Sequence, residues 1–159
     1  MKNLIFIALL ITTNCLYSQK DKMTVSGNWT KNLSALDIND AGNDYASSIV
    51  SADNQSLITV SPGGKSQNYV NIDVLVHRED INWNSNLTLK VKRTSNGTNG
   101  NTIISGGEIN FQTINTIDSF LFSCTGNHTD VPLQYEITGI SVLLPVQNFS
   151  TTVVYTLMN

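Results

Sequence analysis

This sequence predicts an all-β fold, and three observations lead there. Apolar residues recur with a period of two, as in Val70, Ile72, Val74 and Val76, which alternate with Asn71, Asp73 and Leu75. Periodicity near 3.6 is hard to find anywhere along the chain. Turn-forming clusters, Ser61-Pro62-Gly63-Gly64 and Asn96-Gly97-Thr98-Asn99-Gly100-Asn101 among them, punctuate these runs at short intervals. Many short alternating runs between such turns imply an antiparallel β-sandwich or barrel, and the sandwich is expected because several central runs are apolar enough to face a second sheet.

Before the first run lies a leader. Met1-Lys2-Asn3 and the apolar stretch Leu4–Ile11 form a cationic head and a core too short to span a bilayer, followed by Leu16-Tyr17-Ser18-Gln19. This predicts a signal peptide over 1–18, cleaved after Ser18, with the sandwich domain over 19–159. Cys15 offers an alternative, acylation as a lipoprotein, but Asn14 before it is a poor fit to the small residue expected there. Export to an oxidising space leaves Cys124 as the lone cysteine of the mature chain, expected as a buried thiol with no disulfide to make.

The strands are then taken in order. Met23, Val25, Gly27 and Trp29 alternate over Met23–Thr30, either as an ordinary first strand or as a segment donated to another subunit. Leu57–Val60 is a short apolar strand, and Val70–Val76 a half-buried one that stops at a charged turn, His77-Arg78-Glu79-Asp80. Leu87, Leu89 and Val91 alternate with Thr88, Lys90 and Lys92, and the Asn96–Asn101 loop reads as a hairpin tip joining that strand to Ile103–Ile109. Phe120–Cys124 follows. Leu133–Leu144 comes next with Gly139 as a bend or bulge, and Phe149, Thr151, Val153, Tyr155 and Leu157 share one side of the last strand.

Composition narrows the function. Of 159 residues, 13% are charged, against about 25% in an average soluble domain, and the net charge is −3. With no basic surplus to neutralise phosphates, nucleic acid is not an expected partner. No transmembrane span is expected in the body of the chain, which has no run of apolar residues long enough for one. Catalysis finds no footing: His77 and His128 belong to no metal-spaced pair, and no serine sits in a G-x-S-x-G elbow. No enzyme activity and no obligate cofactor are therefore expected.

Two sites are marked by residue type. Asp37, Asn39, Asp40 and Asp44 crowd oxygen ligands into one loop that could wrap a calcium ion, although the spacing is not that of an EF-hand. Trp29 and Trp83, the latter between Asn82 and Asn84, could stack on sugar rings in a carbohydrate-binding module.

The C-terminal stretch is the most informative. Gln134-Tyr135-Glu136-Ile137 leads through Gly139-Ile140-Ser141-Val142 and Pro145 to Asn148-Phe149-Ser150-Thr151-Thr152-Val153-Val154-Tyr155-Thr156-Leu157. A tyrosine-bearing strand, a loop, then an aromatic and a Ser/Thr/Val-rich terminal strand resembles the end of spore coat protein U and Csu-type pilin domains. The resemblance implies an incomplete Ig-like sandwich, exported and assembled by strand donation between subunits. The expected role is thus an exported structural or adhesive surface subunit, with other copies or related surface subunits as partners. Glycans are the partner under the carbohydrate-binding alternative.

Overall fold

The computed structural model describes residues 21–34, 37–38, 45–63, 71–99, 103–108 and 110–159; the leader and its cleavage point lie outside them. Among the described residues the fold is all-β, without a helix. The strands are β1 (Lys22–Ser26), β2 (Ser48–Val50), β3 (Ser56–Ser61), β4 (Asn71–Asn82), β5 (Thr88–Arg93), β6 (Thr98–Asn99), β7 (Ile104–Ser105), β8 (Gln112–Thr113), β9 (Ser119–Thr125), β10 (His128–Thr138) and β11 (Ser150–Met158).

Two antiparallel sheets form. The larger runs β1-β3-β10-β5-β8, with β2 and β6 also on β10, and the smaller runs β11-β4-β9-β7. Both feed one buried cluster. Ile58 and Val60 of β3, Leu89 and Val91 of β5, and Val131, Leu133 and Tyr135 of β10 come from the first sheet. Ile72, Val74 and Val76 of β4, with Leu121, Phe122 and Cys124 of β9, come from the second. Period-two alternation puts these residues on one face of each strand, and removing them from water is the main favourable term in folding.

Bulges break the alternation where the sequence pattern breaks. Val74 pairs with Phe122 but Leu75 with Phe120, so Leu121 is an extra residue and both it and Phe122 are buried. In β10 the shift falls between His128 and Val131, where Asp130 adopts a positive φ of 54° and its amide donates to Thr59 Oγ1 at 3.1 Å.

Several sequence-based expectations change. The charged segment His77–Asp80 is not a turn: β4 continues through it to Asn82, because β11 pairs alongside and the charged side chains have an outer face to occupy. The Asn96–Asn101 loop is not a hairpin tip. Thr98–Asn99 joins β10, while Ile104–Ser105 pairs with β9 in the other sheet, so the chain crosses between sheets here. Only Ile104–Ser105 of the expected Ile103–Ile109 strand forms, and Ile109 lies outside the described residues. The strand expected over Leu133–Leu144 starts earlier, at His128, and ends at Thr138. Gly139, at φ +83°, turns the chain away, and a Cβ there would stand 1.9 Å from the carbonyl oxygen of Asn86. Phe149 precedes the last strand instead of lying in it. The first strand is β1, an ordinary member of its own sheet paired along its length with β3, and it stops before Trp29.

The crossing is held by a buried cation. Arg93, 1% exposed, points inward from the end of β5. Its guanidinium donates to the carbonyls of Gly106 (2.9 Å) and Ser95 (3.1 Å), to Asn96 Oδ1, and to Glu108 Oε2 (2.8 Å), and lies 6.0 Å from the ring centroid of Phe122. The loop reaches it through Gly107, whose φ of +75° and close approach to the Leu121 carbonyl leave no room for a side chain. Removing the guanidinium would leave the Gly106 and Ser95 carbonyls and Asn96 Oδ1 without their donor, at about 1–3 kcal/mol for each acceptor shut off from water, whereas a Gln at 108 keeps an oxygen for Arg93 and the position, 44% exposed at its side chain, keeps water. Urea denaturation of Arg93→Leu should therefore show a loss of about 3 kcal/mol or more, and Glu108→Gln a clearly smaller one. Equal losses would mean that the ion pair, not the ring of carbonyls, holds the loop.

Candidate functional site

β11 is the longest strand with an open side. All nine of its residues pair with β4, and among the described residues nothing pairs with its other edge. Open edges in proteins are ordinarily blunted by shortness, charge, proline or a bulge. β7 and β8 are two residues each, and β1 begins with Lys22. β11, Ser-Thr-Thr-Val-Val-Tyr-Thr-Leu-Met, carries no charge and no proline, and the register shift near its start is taken up in β4 at Ile81. No Asp, Glu, Lys, Arg or His occurs anywhere from Gly139 to Asn159.

Inside that edge lies a cleft of about 320 Å³, lined by Trp29, Tyr135, Leu89, Val153 and Tyr155, with Asn28, Ser56, Thr151 and Thr152 among its polar lining. It lies between β1 and the segment after it on one side and β11 on the other. The two strands are tied at one end, where Asn159 Nδ2 donates to Asp21 Oδ2 at 2.7 Å. Trp29 stacks on Tyr135, with ring centroids 6.4 Å apart and planes 18° from parallel. The hydroxyls of Tyr135 and Tyr155 meet at 2.7 Å, which gives two partly desolvated phenols a partner each.

The marked residues that are described do not all converge on this flank. Trp29 reaches it, half-buried, but Trp83 packs elsewhere, its indole Nε1–H donating to the Leu87 carbonyl at 3.1 Å and the Arg78 guanidinium 5.5 Å from its ring centroid. Neither tryptophan is the fully exposed platform that the sugar-stacking pattern requires. Of the calcium candidates, Asn39, Asp40 and Asp44 lie outside the described residues. Asp37 closes a local turn: its carboxylate accepts from the Ser34 amide (2.8 Å), the Ser34 hydroxyl (3.1 Å) and Lys31 Nζ (3.1 Å). These donors, the Ser34 amide first, hold its pKa below the ordinary carboxylate value. Among the described residues no three Asp, Glu, His or Cys side chains gather as a metal site.

His77 Nδ1 lies 2.6 Å from Asp118 Oδ1 on the outer face of the smaller sheet. Cys124 is buried, and loss of hydration pushes its thiol up to about 11, so it stays protonated and unreactive at neutral pH. That β11 is an edge is not a property its own sequence pattern states. Its signal was present nonetheless, in the absence of any charge across the last 21 residues.

No protein-family model matches the chain, and no curated protein or solved structure matches it. No helix among the described residues is long and apolar enough to cross a membrane.

The tyrosine pair makes the flank sensitive to alkali. Burial raises the pKa of Tyr135 above the ordinary value of 10.0 and that of Tyr155 well above it, the neighbouring Tyr135 adding to the second shift. Above that ordinary value the unfolded chain has given up protons that the folded chain retains, so rising pH favours unfolding. The melting temperature should therefore fall as pH climbs past about 10, and Tyr155→Phe should flatten that decline. An unchanged alkaline slope in the variant would place the responsible group elsewhere.

Proposed function

We propose that this chain is an exported, non-enzymatic structural or adhesive subunit, of the incomplete Ig-like sandwich type, that assembles through β-strand pairing at the outer edge of β11. The observation that carries the reading is the nine-residue edge, unpaired on one side among the described residues and free of charge and proline along its length. A partner strand would hydrogen-bond to the backbone groups along that edge, and its alternate side chains would lie over the cleft that opens beside β11. The leader at 1–18 supports export, where low charge and a Ser/Thr/Asn-rich composition suit a subunit that pairs with another chain.

A carbohydrate-binding module draws on the same flank, through Trp29 and the hydroxyls around the cleft. It is the weaker reading, because Trp29 already spends one face on Tyr135 and Trp83 holds Arg78 over its ring.

Sedimentation velocity over a range of concentrations tests the proposal, on protein recovered after export and shown by mass spectrometry to begin at Gln19. The native protein should form species larger than a monomer. Thr152→Lys with Thr156→Lys places two charges on the solvent side of β11, where the core is untouched, and should return the protein to monomer with an unchanged circular dichroism spectrum. A native protein that stays monomeric throughout would remove strand pairing as its function.

A further inference from the structure

We infer that the partner of β11 is the β11 of a second copy, paired antiparallel about a two-fold axis beside Val154. The inference rests on the strand-pairing reading and adds to it the partner and the register.

Charge argues first. Two copies of a chain whose net charge is −3 over the full sequence, and more negative once Lys2 leaves with the leader, repel, and they dock most readily where neither carries charge. The segment from Gly139 to Asn159 is the part of the chain that meets this condition while also presenting an open strand edge. Pairing it with itself sets no like charges opposite one another.

Face and register argue next. Val153, Tyr155 and Leu157 pack toward the core, which leaves Thr152, Val154 and Thr156 on the other face of the strand. A two-fold pairing that aligns all nine residues sets Val154 opposite its own copy, Thr152 opposite Thr156, and Val153 opposite Tyr155. Each strand then keeps its core face on the same side as its partner's. Threonine–threonine and aromatic–β-branched neighbours are both favourable cross-strand pairs. Moving the axis to Val153 would pair only seven residues and set Thr152 against Val154.

The exposed apolar surface supplies the third argument. In the loop before β11, seven and four residues ahead of Ser150, Leu143 is 90% exposed and Val146 fully so, and at the strand's far end Met158 is 51% exposed. An antiparallel two-fold brings the start of one strand to the end of the other, with Ser150 opposite Met158. The chain leading into β11 of each copy, which carries Leu143 and Val146, is thereby directed toward Met158 of the other, and one operation makes this approach twice. Such self-complementarity is what a closed, isologous interface requires.

Cross-linking reads the register directly, since residues opposite each other across a strand pair bring their β-carbons close to disulfide range. Cys124 is buried and stays out of the reaction. Under mild oxidation Val154→Cys should run chiefly as a covalent dimer. Thr152→Cys and Thr156→Cys should each remain monomeric alone and link when mixed, which also excludes random collision. Sedimentation of the native protein should stop at the dimer. Open-ended assemblies in which Val154→Cys fails to link to itself would overturn the two-fold while leaving strand pairing intact. A native protein that is monomeric at every concentration would overturn both.

Discussion

Strand β10 has both edges occupied along most of its eleven residues, and the larger sheet hangs from it. On one side β3 pairs with its first half and β2 with Glu136–Thr138; on the other, β6 meets His128–Thr129 and β5 takes Leu133–Thr138. The gap between β2 and β3 is closed without a strand. Ser51 donates its amide to the Tyr135 carbonyl and accepts the Tyr135 amide on its hydroxyl, both at 2.9 Å, while the Gln134 side chain donates to the Ser51 carbonyl and Asp53 Oδ1. A buried backbone group left unpaired costs as much as the hydrogen bond it lacks, so a central strand of this length fixes the positions of its neighbours. Tyr135 then carries that order inward, since its ring meets Trp29 and its hydroxyl meets Tyr155 of the opposite sheet.

The smaller sheet is built the other way. β4 is paired on both sides, by β11 over its length and by β9, but β11 has β4 alone among the described residues. The contrast between a spine paired on both sides and an edge paired on one, among the described residues, is the property on which the functional reading depends. The Arg93 cluster secures the chain where it passes between sheets, and it does so on the β5 and β9 side, leaving the β1 and β11 flank to a lighter set of contacts.

Much of the fold was legible in the sequence because alternation reports which face of a strand meets the core. Val74 and Val76, Leu89 and Val91, and Val153, Tyr155 and Leu157 lie where their spacing put them. Alternation does not report where a strand stops or which neighbour it takes. His77–Asp80 reads as a turn by charge, yet a strand with a solvent face accommodates charge readily. The glycine-rich loop after β5 has hairpin chemistry, but turn residues cannot say that the next strand belongs to the other sheet. β2 and β8, at three and two residues, are too short to show any period. Of the marked site residues that are described, only Trp29 lines the cleft, because aromatic and carboxylate types identify chemistry one residue at a time and say nothing of convergence. The edge was hidden for a related reason: a strand's pattern is the same whether one or both of its sides are paired.

The account rests on β10 being sealed and β11 open, and residue-resolved amide hydrogen exchange measures both at once. In dilute monomer the amides of Leu133–Ile137 should exchange only through global unfolding, whereas along β11 every second amide, the set turned away from β4, should exchange rapidly. Raising the concentration should slow that alternate set alone. Uniform protection of every β11 amide in the monomer, or rapid exchange along Leu133–Ile137, would contradict the account.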